Sequence, residues 1–266
     1  MQERLQWIVK QPTCWLHWQP LRGGLAIHSA LARRYPKSQC VVVQTPESAA
    51  LQVQRTMAKP WWDVRGWRAP AAQFDTPSAP VQMLWANMAL HMAADPQALI
   101  SRWHQSLEPD GFVMFSCLGP DTLRELRQLY SALGWPAPAH EFTDMHDWGD
   151  MLVEAGFAEP VMDMERITLT FSSAENLLEE LRGLGRNLHP QRFAGLRGRQ
   201  WHAALKVQIT ARLVDPAQPG RLRLGFEIIY GHAFKPMLRI PMREQTSVSL
   251  NDFRSALQRS PQLPST

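Results

Sequence analysis

The chain has 266 residues, 45% of them apolar and 20% charged, with 28 Lys and Arg against 24 Asp and Glu for a net charge of +4. That balance excludes a disordered or supercharged chain, and the length allows one large domain with a real core or two small ones. No stretch approaches the roughly 18 apolar residues of a membrane span, residues 1–11 hold no apolar export segment, and three scattered cysteines suggest neither a disulfide framework nor a zinc site, so the expected location is the cytoplasm.

The first half alternates short apolar runs with helical patterns, as a parallel sheet with crossover helices does. Residues 14–18 read as a strand, 20–24 as a turn and 25–35 as a helix stopped by Pro36. A buried-type strand at 40–44 (CVVVQ) and a helix at 47–57 follow. Residues 61–67 read as a third strand, the proline-rich 69–80 as a loop and 81–85 as a fourth strand. Next come a helix at 95–107, a turn at Pro109-Asp110-Gly111 and a fifth strand at 112–117 (FVMFSC). Thr122 with Glu125 three residues later matches a capping box for a helix reaching Leu133, and Asp121 reads first as a cap of that helix. A short helix at 147–155 is closed by Gly156 at C′.

From residue 161 the period drops to two. Ile167, Leu169 and Phe171 point one way and Thr168 and Thr170 the other, as in a half-exposed antiparallel strand. Ser172 and Glu175 open a helix to about 184, a Gly/Arg-rich loop covers 185–198, a helix covers about 199–213, and 222–230 form a last strand. The predicted fold is α/β, a three-layer sandwich whose sheet is mostly parallel with antiparallel C-terminal strands. Residues 1–236 make one domain with a helical, Arg-rich insertion at about 173–213, and 237–266 form a poorly ordered tail.

Charge is unevenly placed. Residues 141–165 hold eight acids and no Lys or Arg, whereas 181–214 hold seven basic residues and no acid. An acidic protein partner suits the basic block, with a merely solvated face as the plain alternative. Nucleic acid is the competitor, but only Phe193 and Trp201 are there to stack on bases. Eight of the 11 tryptophans precede residue 104 and read as core and interface bulk.

In open parallel sheets the ligand lies at the carboxyl ends of the strands. The first turn offers Gly23 and Gly24 for close backbone approach, the second strand ends on Gln44 where a ribose-binding acid is usual, and the fourth strand leads to Asn87. A structural turn explains the glycines equally well. The histidines show no zinc-helix spacing, and no G-x-S-x-G occurs, so neither metal nor serine-nucleophile chemistry is expected. Tyr230 and His232, beside Gly231 at the close of the last strand, are suited to an anionic substrate or its carbonyl; a strand end with buried aromatics is the alternative.

Five segments carry a family resemblance: MLWANMALHM (83–92), LEPDGFVMFSCLGPDTLRELR (107–127), FTDMHDWGDMLVEAGFAEPVMDMERITLTF (142–171), GLRGR (195–199) and FEIIYGHAF (226–234). They resemble the malonyl-acyl-carrier-protein O-methyltransferases of biotin synthesis, a branch of the class I S-adenosylmethionine-dependent methyltransferases. The family's D-x-G-x-G-x-G loop falls on residues 19–25 (QPLRGGL), in a register fixed by LARRYP (31–36), and its ribose-binding acid falls on Gln44. The resemblance implies methyl transfer from S-adenosylmethionine to the free carboxylate of a malonyl thioester on acyl carrier protein or coenzyme A. By position it implies Gly23, Gly24, Gln44 and Asn87 at the cofactor, Asp121, His146, Tyr230 and His232 around the acceptor, and Arg197 and Arg199 on the acidic carrier. Two other readings stay open: a fold that has lost the cofactor and docks an acidic partner through its basic face, and a nucleic-acid-associated methyltransferase-like protein. Oligomeric state is not legible.

Overall fold

Strands buried on both faces need apolar residues in both parities, and the runs at 14–18, 39–43 and 81–87 supply them. In the computed structural model, which describes residues 1–57, 72–74 and 79–237, β1 (Cys14–Trp18) pairs in parallel with β2 (Gln39–Val43) and β4 (Val81–Asn87). β2 pairs with the short β3 (Gln73–Phe74), and β4 with β5 (Leu107–Leu118), all in parallel. β7 (Leu222–Phe234) then runs antiparallel between β5 and β6 (Ala158–Phe171), giving the seven-stranded order β3-β2-β1-β4-β5-β7-β6. The expected mixed sheet with antiparallel C-terminal strands is the one that forms.

Trp15, Trp85 and Met114 lie on one face, beneath Leu5 of an N-terminal turn (Gln2–Trp7), Leu31 of α2 (Ala26–Arg34) and Val53 of α3 (Glu47–Met57). Leu84, Phe115 and Ile229 lie on the other, beneath Trp103 of α4 (Pro96–Ser106) and Trp148 of α6 (Met145–Glu154). A third cluster joins Leu222, Leu224 and Phe226 of β7 to α5 (Arg124–Ala132), α7 (Ala174–Leu184) and α8 (Arg199–Arg212). The indole N–H groups of Trp85, Trp103 and Trp148 are buried without a partner. Such a group costs about 1–3 kcal/mol, whereas losing a buried Trp side chain costs about 3–5 kcal/mol. Ring burial therefore wins, and these tryptophans are held for bulk.

Several local expectations need correction. Thr122 and Glu125 form no capping box: α5 begins after Leu123, whose φ is 56°, and has no side-chain cap. Both side chains are engaged by β7 instead. The Thr122 hydroxyl accepts from the Glu227 N–H and donates to its carbonyl, each at 3.1 Å, and the Glu125 carboxylate accepts from the Gly225 N–H at 3.0 Å. Asp121 is likewise no side-chain cap, since its carboxylate takes a hydrogen bond from Arg166. The Pro109-Asp110-Gly111 turn survives only as an irregularity inside β5, where pairing jumps from Val81↔Leu107 to Met83↔Phe112.

Within the 69–80 loop, Gln73–Phe74 is the strand β3. The expected strand at 61–67 and all of the tail beyond Met237 lie outside the described residues. On β6 only Phe171 of its alternating trio is buried, while Ile167 and Leu169 are 37% and 43% exposed, because β6 is the sheet edge. β7 does not stop at Tyr230. It continues to Phe234, paired on both sides, and Tyr230 and His232 are mid-strand residues. Gly231 allows this, since a Cβ there would overlap the buried ring of Phe115.

Candidate active site

The strand ends carry two groups of polar residues. The first is a cradle of amides. After β1 the chain turns through Gln19 (φ 51°) into the four-residue helical turn α1 (Pro20–Gly23). Gln44, just beyond β2, accepts from the Leu21 N–H at 3.1 Å and donates to the Gln19 side-chain oxygen at 2.7 Å and the Thr45 carbonyl at 3.0 Å. Gln19 in turn donates to the Thr45 hydroxyl at 2.7 Å. Asn87, ending β4, donates to the Gly23 carbonyl and accepts from the Ser116 hydroxyl. The two glycines divide their work. A Cβ on Gly23 would lie 2.6 Å from Asn87 Cβ and 2.8 Å from its carbonyl oxygen, so Gly23 lets α1 pack on β4. Gly24, at φ 88°, has nothing within 4 Å of its Cβ position among the described residues.

An adenosyl donor needs partners for ribose hydroxyls and room beside backbone, and the convergent amides with the open Gly24 fit that part. The fit is an uncharged one. Gln19, Gln44 and Asn87 bond one another, the Thr45 and Ser116 hydroxyls or the backbone, so a hydroxyl entering here exchanges one hydrogen bond for another, with small net gain.

The second group surrounds Glu227, the one carboxylate of β7 and only 5% exposed. The β5–α5 connection is sewn to it: the Gly119 N–H donates to the Glu227 carbonyl at 2.9 Å, and a Cβ on Gly119 would lie 2.5 Å from a Glu227 carboxylate oxygen. Arg166 of β6 donates to Asp121 at 2.6 Å and brings its Nε to 3.9 Å from Glu227. Burial first, then the negative charge of Asp121, raises the Glu227 carboxyl above the ordinary range, opposed by Arg166. Asp144, the side-chain cap of α6, adds negative charge near Glu227 and binds His146 through both the backbone N–H at 2.8 Å and the ring at 2.7 Å.

Alongside, His91 follows β4 in a 3-10 turn (Leu90–Met92). Its Nδ1 accepts from the Leu118 N–H at 3.3 Å, and His140 donates to its carbonyl at 3.2 Å. Burial, then the charges of His140 and Arg22, lower its pKa to about 4, so it is a neutral Nε2–H donor at pH 7.

Of the residues expected from the sequence, Gly23, Gln44 and Asn87 meet around the cradle, with Gly24 at its open edge. Asp121 and His146 share the Glu227 neighbourhood. Tyr230 and His232 lie on the opposite sheet face, one residue out of phase with Glu227 and Ile229. The Tyr230 ring lies under Arg4, whose guanidinium carbon is 3.9 Å from its centroid, and its hydroxyl donates to Glu165 at 3.2 Å. Through the pairs Asn87↔Ser116 and Ser116↔Tyr230 it shares a row with the cradle. His232 is half-buried, edge-on to Phe234, and burial lowers its pKa. Arg197 lies just before α8 and Arg199 is its first residue. His91, Glu227 and Arg166 escaped the sequence reading. A lone acid inside the apolar run FEIIYGHAF was the available signal for Glu227.

A carboxyl raised in the folded state contributes stability below its unfolded pKa and loses it as pH rises through the folded value. Glu227→Gln is therefore expected to melt above the parent at pH 8 and to show none of that gain at pH 4; scanning calorimetry at the two pH values checks it.

No family model matches the chain. Curated relatives do. It is 37% identical over 244 residues to a malonyl-[acyl-carrier protein] O-methyltransferase of Laribacter hongkongensis, covering 88% of this chain and 78% of the relative. A protein of the same name from Gallionella capsiferriformans is 36% identical over 248 residues, covering 90% of this chain and 83% of that one. Among solved structures, a candidate methyltransferase from Bacillus halodurans superposes with a TM-score of 0.58 at 16% identity, over 88% of this chain and 98% of the other, which speaks for the fold alone.

Proposed function

The chain belongs to the malonyl-[acyl-carrier protein] O-methyltransferase family, and from that membership we propose that it transfers a methyl group from S-adenosylmethionine to the free carboxylate of a malonyl thioester on acyl carrier protein. The observation that carries the reading is similarity at 37% identity extending over 88% of the chain. S-adenosylmethionine, when bound, supplies an electrophilic methyl group. Gln19, Gln44, Asn87 and the backbone at Gly24 would hold it.

A carboxylate is already a nucleophile at pH 7, so the chain needs no strong base and contributes mainly alignment. A neutral donor orients such a nucleophile without drawing off much of its charge, which suits His91, fixed in one tautomer by Leu118. Arg166 offsets the charges of Asp121 and Glu227, so an anionic acceptor meets a rim closer to neutral. Asp121 and His146 line that rim. Tyr230 and His232 support it from the other face, and Arg197 and Arg199 meet the acidic carrier. Glu227, a carboxylate kept where it opposes folding at neutral pH, belongs to a site rather than to the core. Residues 1–236 act as one catalytic domain with residues 173–213 as its partner-facing insertion.

The test incubates the protein with S-adenosylmethionine and malonyl carrier protein and follows the carrier by mass spectrometry. One added methyl group, and rescue of a biotin auxotroph lacking its own methyltransferase, are the expected results. An unmodified carrier together with no rescue would overturn the reading, and carrier binding without transfer would leave a docking protein on an enzyme's fold.

A further inference from the structure

The insertion carries a groove lined in part by Arg197 and Arg199, which the proposed function turns toward the carrier without giving the groove a ligand of its own. It has a volume of about 350 Å³ and lies where the C-terminal end of α7 meets the N-terminal end of α8, lined by Arg182, Arg197, Arg199, Trp201, His202 and Lys206. Lys206 is held by Glu175 at 2.8 Å. Among the described residues Arg182, Arg197 and Arg199 make no ion pair, and no acid occurs between residues 181 and 214. Three uncompensated guanidinium groups around one hollow repel one another, and a bound anion relieves that repulsion.

We propose that this groove is a binding site for a phosphate ester. Arg197 is already ordered for it, its guanidinium carbon 3.8 Å from the centroid of Phe193 and 4.3 Å from that of Trp201, which fixes the planar fork by stacking. Gly198 precedes α8 and gives it no side-chain cap, and the first turn holds no acid, so the positive end of a 14-residue helix adds to the same hollow. Among the described residues the ring nitrogens Trp201 Nε1 and His202 Nε2 have no hydrogen-bond partner. Three forks and a helix terminus exceed what the two oxygens of a carboxylate can satisfy. They suit a phosphoryl group, with three acceptor oxygens and up to two charges. The volume exceeds that of bare phosphate and admits the first atoms of its organic group.

The groove shares Arg197 and Arg199 with the proposed carrier face, while phosphate binding is measured separately from methyl transfer. Two sources share the chemistry: an ester borne on the arm that presents the carrier's thioester, and a free phosphate ester. The probes are inorganic phosphate and phenyl phosphate, titrated against the full chain with chloride at equal ionic strength as the control, read by melting temperature and calorimetry. Phosphate-specific stabilisation that saturates, and an affinity reduced about tenfold by each of Arg182→Gln and Arg197→Gln, are expected. Arg182 lies in the last turn of α7, so its variant keeps the test sound if the Arg197 variant loosens the aromatic stack. No excess over chloride, or an effect unchanged in both variants, overturns the proposal. Displacement of malonyl carrier protein by phenyl phosphate assigns the carrier-borne ester; phosphate binding without displacement assigns the free one. Loss of methyl transfer with phosphate binding intact counts against the proposed function alone.

Discussion

His17→Phe is expected to flatten the acid limb of the stability curve, leaving the variant folded at pH values where the parent has begun to unfold. His17 is fully buried in β1, its ring stacked on His28 with centroids 5.6 Å apart and Nδ1 atoms 3.4 Å apart. Burial, and then the charge of His28, lower its pKa to about 3. Below its unfolded pKa near 6.5 the unfolded chain takes up a proton that the folded chain refuses. The stability present above pH 6.5 is therefore lost as pH falls toward 3. At 1.36 kcal/mol per pKa unit the loss is on the order of 4 kcal/mol, a large fraction of the 5–15 kcal/mol typical of a domain. Phenylalanine removes the titration and also the buried, unpartnered Nε2. His91, lowered to about 4, remains and keeps some slope. Urea unfolding at pH 7, 5.5 and 4 measures the difference, and parallel curves for parent and variant would refute the assignment.

What the sequence disclosed, and what it hid, follows the range of the interactions involved. Gly156 was legible as a helix terminus because its φ of 94° closes bonds only a few residues long, such as Phe157 N–H to the Leu152 carbonyl at 3.0 Å. Thr122 and Glu125 looked like a local cap, and their true partners lie 105 and 100 residues away on β7. A capping pattern cannot register a competitor so distant. Tyr230 and His232 were read as a strand end because Gly231 resembles a stop. The same glycine is a clearance for Phe115, a fact that belongs to packing and not to the chain's own pattern. Gly23, Gln44 and Asn87 were legible as neighbours because the carboxyl ends of adjacent parallel strands converge. His91 and Arg166 were not, since one sits in a turn of three residues and the other on an exposed edge strand, and neither stands in any spacing that announces chemistry. The basic block, by contrast, was visible as charge alone, and the fold gathers three of its arginines, Arg182, Arg197 and Arg199, around one groove.

Gln44→Glu is expected to tighten binding of S-adenosylmethionine, and of S-adenosylhomocysteine, about tenfold, the value of making one hydroxyl contact charge-assisted. The neighbourhood can accept the change. One carboxylate oxygen keeps the bond from the Leu21 N–H, and rotation of the Gln19 amide presents its NH₂ group to the other, with the Thr45 hydroxyl then donating to Gln19. The cost is the lost donation to the Thr45 carbonyl, about 1 kcal/mol of stability. Gln44→Ala runs the other way: it frees Leu21 N–H and Gln19 together and should weaken both ligands. Calorimetric titration of the three proteins orders them as Glu, Gln, Ala. Equal affinities across the series would show that the adenosyl donor does not sit on these amides. The uncharged side chains at the ends of β1 and β2 would then have to be explained by some ligand other than a sulfonium, because a cation gains least from a cradle without carboxylates.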